Sequence, residues 1–193
     1  MICTAMRFEA MLPPLIILDV QDAINQPVWN GKNNPNYIDA IETLLSTWRA
    51  QKADVIHVKH DEANPNSSYH THGPWNGIQA RVAPRGDEKV VTKTQNCAFI
   101  GTDLHSVLQG LGAVQFVLTG VVIHNSMDAT IRAGKALGYK ILLPEDATTA
   151  VPVTDRQGRV WPAQDVFDLS LAVLGGEYAT VTSSDAVLSA FTD

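Results

Sequence analysis

Continuous apolar runs of about four residues alternate, from Leu15 onward, with stretches in which apolar residues recur every three or four positions. The runs read as strands covered on both faces and the periodic stretches as amphipathic helices. Their regular alternation is the sign of βαβ units built on a parallel sheet. Strands are predicted at 15–18, 55–58, 89–91, 115–118, 140–143 and 178–181. Helices are predicted between them, the first opening near Pro35 and carrying the stripe Ile38, Ile41, Leu45, Trp48. A further helix is expected from about Asn125 to Leu137, ended by Gly138, and a last one is capped by Ser183 or Ser184. The fold class is therefore α/β: one doubly wound, mainly parallel six-stranded sheet with helices on both faces. Residues 1–13 read as an N-terminal arm and 14–193 as the single domain.

The segment 61–87 breaks the alternation, being rich in proline and glycine with little periodicity. A loop of that length in a compact domain is usually functional, and it is expected to wall a pocket. In an open parallel sheet, ligands bind beyond the carboxyl ends of the strands where strand order reverses. That rule selects Asp19 after strand one, Lys93 after strand three and the turn from Gly120 to Ser126 after strand four. A carboxylate, an ammonium and a hydroxyl thus reach one rim, treated as three neighbouring strand ends. Taken singly, each residue has an ordinary structural reading: Ser126 as a helix cap, Asp19 as a turn cap or ion-pair partner, Lys93 as a surface charge.

Composition narrows the partner. A net charge of -6 argues against nucleic acid or an anionic membrane, both of which need a basic face, and leaves a small molecule as the expected ligand. No stretch reaches the 18 or so apolar residues of a membrane span, and the first fourteen residues lack the pattern of a signal peptide. With Cys3 and Cys97 as the only cysteines, two free thiols in a reducing compartment are expected, so the location is read as cytoplasmic. His60, His70, His72 and His124 do not show metal-ligand spacing, and neither a metal nor a cofactor is expected. Trp29, Tyr69, Trp75 and Phe99 fall near the same rim, where aromatic rings could stack on a planar substrate or simply pack beneath the loop.

The order of short motifs resembles the isochorismatase-like hydrolases, also called the cysteine hydrolase superfamily, over roughly residues 15–188. The carrying residues are Leu18-Asp19-Val20-Gln21, Asn34-Pro35, Val58-Lys59-His60-Asp61, Lys93 followed by Asn96-Cys97-Ala98-Phe99-Ile100-Gly101-Thr102-Asp103-Leu104, then Thr119-Gly120, Ala129-Thr130, Leu137-Gly138-Tyr139 and Asp146-Ala147-Thr148. The resemblance implies a triad of aspartate, lysine and cysteine, placed at Asp19, Lys93 and Ser126. It further implies an oxyanion hole from the backbone amides of Val122 and Ser126 and a non-proline cis peptide at Val121-Val122. Gln21, His60, Phe99, Val121 and Trp75 are then expected to bind substrate, and a homodimer or homotetramer is the expected assembly. The implied activity is hydrolysis of a C–N bond in a small amide, imide or carbamoyl compound, or of a vinyl ether.

Serine at position 126 departs from the family's cysteine. Four accounts stay open: an engineered Cys→Ser change, a natural serine hydrolase, acid–base chemistry centred on the aspartate without a covalent step, and a silent member that binds a metabolite or serves as an assembly subunit. Cys97 as a substitute nucleophile is the weaker idea, since relatives usually carry a small residue there.

Overall fold

A computed structural model of the chain describes residues 12–192. Most of the expected N-terminal arm, with Cys3, lies outside the described residues. The chain enters through β1 (Leu15–Leu18), α1 (Tyr37–Ala50), β2 (Val55–His60) and β3 (Lys89–Lys93). It continues through α2 (Leu104–Gly110), β4 (Gln115–Val121), α3 (Asp128–Ala136) and β5 (Lys140–Pro144). Two short pieces follow, β6 (Thr148–Thr149) and a hairpin of β7 (Val153–Thr154) with β8 (Val160–Trp161), before α4 (Ala163–Glu177), β9 (Thr180–Thr182) and α5 (Ser184–Thr192).

The central sheet is parallel, in the order β3-β2-β1-β4-β5-β9, and β6 prolongs it beside the end of β4. All four residues of β1 are buried, as a strand sandwiched between helix layers requires. Their alternation splits the core: Ile16 and Leu18 pack with Phe116, Leu104, Ile131 and Leu174, whereas Leu15 and Ile17 pack with Ile41, Leu45 and Trp48 of α1 and with Val187 of α5. Trp48 also donates its indole N–H to the Pro13 carbonyl at 2.8 Å, tying α1 to the entry of β1. Strands are added on one side of β1 as far as β3 and on the other from β4 onward, so strand order reverses between β1 and β4.

Differences from the pattern-based reading have local causes. The last strand begins at Thr180 rather than Tyr178, because the N–H groups of Tyr178 and Ala179 both close onto the Leu174 carbonyl and finish α4. β4 runs on to Val121, where Gly120 passes against β1 with φ +124°. A Cβ at Gly120 would stand 2.1 Å from the Leu18 carbonyl oxygen, so only glycine lets the two strands stay paired there. The helix expected from Asn125 opens instead as a π-turn over Ile123–Met127 before α3 begins. Of the two candidate caps of α5, Ser183 is the one that caps, accepting from the Ala186 N–H, while Ser184 hydrogen-bonds Asp146.

Candidate active site

Asp19 is the first residue past β1 and takes a left-handed conformation, φ +58°. Its backbone is held on both sides: its N–H donates to the Val58 carbonyl at 2.9 Å, and its carbonyl accepts from the Gln21 N–H and from the Tyr69 hydroxyl. The side chain is thereby turned into a cavity of about 180 Å3 at the reversal point, bounded also by Val121, Val122, Asn125 and Ser126 beyond β4, by His60 at the end of β2, and by Asn96. The long loop supplies Glu62, Ser67 and Tyr69, and Ile24 and Trp29 close the remaining side. The peptide between Val121 and Val122 is cis.

Lys93 is the last residue of β3 and is fully buried. The strand ends carrying Asp19, Lys93 and Ser126 are not three neighbours, as the sequence suggested, because β2 lies between β1 and β3. The lysine side chain spans that gap and meets a fourth group on the way. Its Nζ stands 2.8 Å from Asp19 Oδ2, 3.0 Å from His60 Nδ1 and 3.3 Å from Ser126 Oγ. An ammonium has three protons and no lone pair, so these three contacts exhaust it. His60 must therefore accept at Nδ1 and carry its proton on Nε2. Burial and the adjacent Lys93 charge hold the His60 pKa below its usual value, which keeps the ring in the neutral form this contact needs.

Burial raises the Asp19 pKa, against the pull of Lys93, Ser126 and His60 toward the charged form. Asp19 Oδ2 is engaged by Lys93, whereas Oδ1 is buried and has no hydrogen-bond partner. Ser126 accepts from Lys93 Nζ at 3.3 Å, and its hydroxyl also lies close enough to Asp19 to favour the charged carboxylate. Asp19 and Ser126 are 4% and 7% exposed, so both act largely out of bulk water.

Four sequence-based placements need correction or refinement. Gln21 does not face the cavity: it is fully buried and bridges β2 to the loop, donating to the His60 and Asn76 carbonyls while its own oxygen accepts from the His60 N–H at 2.7 Å. It continues the β1–β2 pairing with a side chain after the β1 backbone has turned away. Phe99 is swung to the opposite face of the sheet, stacked on Tyr139 at 5.9 Å, because Thr130 captures the preceding Ala98 N–H. Trp75 stands exposed in a neighbouring surface groove with Val28 and Pro74, on the far side of Trp29. Ser126 sits in a π-turn rather than the first turn of an α-helix, a geometry frequent at functional positions. His60 and Val121 do line the cavity. Glu62 was not singled out from the sequence, since an isolated polar residue in a loop carries no periodic signal, and Asn96 entered only as part of the motif order. Among the described residues no group of three or more His, Cys, Asp or Glu is gathered as a metal would require, and Cys97 is a free thiol.

A parallel α/β sheet thus carries a buried Asp-Lys-Ser cluster at its reversal point, and comparison with known proteins gives its family. The isochorismatase domain family matches residues 13–168. The uncharacterised isochorismatase family protein YrdC of Bacillus subtilis is 32% identical over 92% of this chain and 95% of its own length. A streptothricin hydrolase of Streptomyces noursei is 29% identical over 90% of this chain and 63% of its own length. An isochorismatase-family crystal structure from Chromobacterium violaceum superimposes with a TM-score of 0.91 at 38% identity, covering 96% of each chain. The chain belongs to the isochorismatase family of hydrolases.

Proposed function

We propose that this chain cleaves a C–N bond in a small amide, imide or carbamoyl compound, with Ser126 as the attacking group, Asp19 as proton carrier and Lys93 as electrostatic anchor. The observation that supports this reading is the arrangement around Lys93 Nζ: it binds Asp19 Oδ2 and Ser126 Oγ together, so that the hydroxyl stands against the carboxylate that would take its proton. In the first step the Ser126 oxygen bonds to the substrate carbonyl carbon and its proton passes to Asp19. The carbonyl oxygen becomes an oxyanion, received by the backbone amides of Val122 and Ser126. The C–N bond then breaks as Asp19 returns the proton to the departing nitrogen. Water attacks the resulting ester, gives its proton to Asp19, and Ser126 recovers a proton as it leaves.

An alcohol is harder to ionise than a thiol, whose usual pKa is about 8.5, so a serine here needs the base more than the family's cysteine would. Measured on a panel of small amides, Ser126→Ala should lower kcat/KM by about 10³-fold or more, and Asp19→Asn by at least as much. Ser126→Cys should retain or raise turnover.

A second reading rests on the placement of Asp19, buried at the cavity floor with Oδ1 unpartnered, where burial favours the neutral carboxyl. A protonated Asp19 could give its proton to a vinyl ether, with water completing the hydrolysis and Ser126 only lining the wall. Under it, Ser126→Ala keeps most activity while Asp19→Asn loses it.

A further inference from the structure

The charge that the cavity offers a substrate follows from its lining. Two carboxylates face it, Asp19 on the floor and Glu62 on the loop side. Among the described residues no arginine or lysine lines it. Lys93, beneath, spends its three protons on Asp19, His60 and Ser126, and so has no donor left for a ligand. Lys32 donates to the Trp29 carbonyl and does not line the cavity. His60 is held neutral by burial and by Lys93. No cationic side chain among the described residues is thus left to meet a ligand, while the Glu62 carboxylate is on offer at the loop side.

Glu62 is suited to hold its charge at the entrance. Its Oε1 accepts from the Asn64 N–H at 3.1 Å, and its side chain is 40% exposed, so the carboxylate is both fixed and hydrated. Its Oε2 lies 3.9 Å from His60 Nε2, and the same cavity is lined by aromatic rings that meet edge to face, Trp29 with Tyr69 at 5.9 Å and His60 with Tyr69 at 5.7 Å. Aromatic rings and a carboxylate lining one cavity make a setting that suits organic cations. Deeper in, Asp19 Oδ1 is buried without a hydrogen-bond partner. The cavity, about 180 Å3, lies below the range of about 300 Å3 upward typical of drug-sized ligands.

We infer that this site selects a small substrate bearing an ammonium or amidinium group, seated between Glu62 and the rings of Trp29 and Tyr69, and discriminates against carboxylate-bearing substrates. The inference rests on the hydrolase reading of the same cavity and adds the substrate's charge. Three amides of similar size separate the possibilities: 3-aminopropanamide, butanamide and succinamate carry positive, no and negative charge at neutral pH. Binding to the Ser126→Ala protein, followed by calorimetry, should favour 3-aminopropanamide over butanamide by about tenfold, with succinamate weakest. Glu62→Gln should bring the ratio between the first two close to one, and Glu62→Asp should restore part of it. An unchanged ratio in Glu62→Gln overturns the inference, as does equal or tighter binding of succinamate, or failure of 3-aminopropanamide to bind at millimolar concentration. Turnover by the unaltered protein is scored separately. Charge-selective binding without cleavage of any amide sinks the hydrolysis reading alone, and cleavage without charge preference sinks the charge reading alone.

Discussion

His60 and Lys93 are register partners across β2 and β3, and their side chains meet at 3.0 Å between Nδ1 and Nζ. The edge strand thus delivers its lysine toward Asp19 through a histidine that takes up the third ammonium proton. Replacing His60 by Ala should leave a buried N–H of Lys93 unsatisfied, at a cost of about 1–3 kcal/mol in unfolding free energy. Because the freed ammonium can tilt away from Ser126, kcat should fall more than KM rises. Denaturant unfolding and steady-state kinetics on one sample would check both.

Gln21 offers a test of how His60 is held in place. Its amide group satisfies both the N–H and the carbonyl of His60. Gln21→Leu keeps the volume and removes those bonds, so the variant should lose about 1–3 kcal/mol. It should also lower turnover without touching the cavity lining, since Gln21 is not part of that lining. Turnover equal to that of the unaltered protein would contradict the supporting role.

Gly120 sets the approach of β4 to β1. Any Cβ there collides with the Leu18 backbone, at 2.1 Å from its oxygen and 2.7 Å from its nitrogen, and neither strand can retreat without breaking the pairing. Gly120→Ala is expected to cost about 4 kcal/mol or more, enough to abolish a cooperative thermal transition in a domain of ordinary stability. Circular dichroism melting of the purified variant would report it.

The pH dependence of stability should come from buried histidines and from one glutamate. Burial holds His57, His60 and His124 below their usual 6.5 in the folded chain, so the unfolded chain takes up more protons below that pH. Their contribution is complete above about 6.5 and is lost as the pH falls through the folded values. Burial works against the charge of Glu88, but hydrogen bonds from Arg49, the Arg85 N–H and His57 bring it down to about 2. Its contribution is present above 4.5 and is lost between 4.5 and about 2. Asp19, raised by burial, acts in the opposite sense, its contribution being lost as the pH rises through its folded value. Urea midpoints should therefore drop from pH 7.5 to 5.5 and drop again below 4.5. Glu88→Gln should flatten the second drop.

Much of this molecule could be read from one dimension. The strands and helices are encoded by runs and by a period of three to four, which depend on neighbours close in sequence, and these fix the α/β class, the parallel sheet and the burial of Trp48 and Phe116. Asp19, Lys93 and Ser126 were legible because the ends of parallel strands share one rim, and motif order along the chain added the resemblance. The tertiary structure decided which of the candidate side chains enter the cavity. Phe99 and Gln21 adjoin site residues in sequence yet point elsewhere, since a capture by Thr130 and a gap in β1–β2 pairing redirect them. Glu62 and Tyr69 reach the cavity through a loop without periodicity, and His60 acquires its role from the lysine paired across the strand. Such contacts depend on strand order and on side-chain direction in space, which local pattern does not encode.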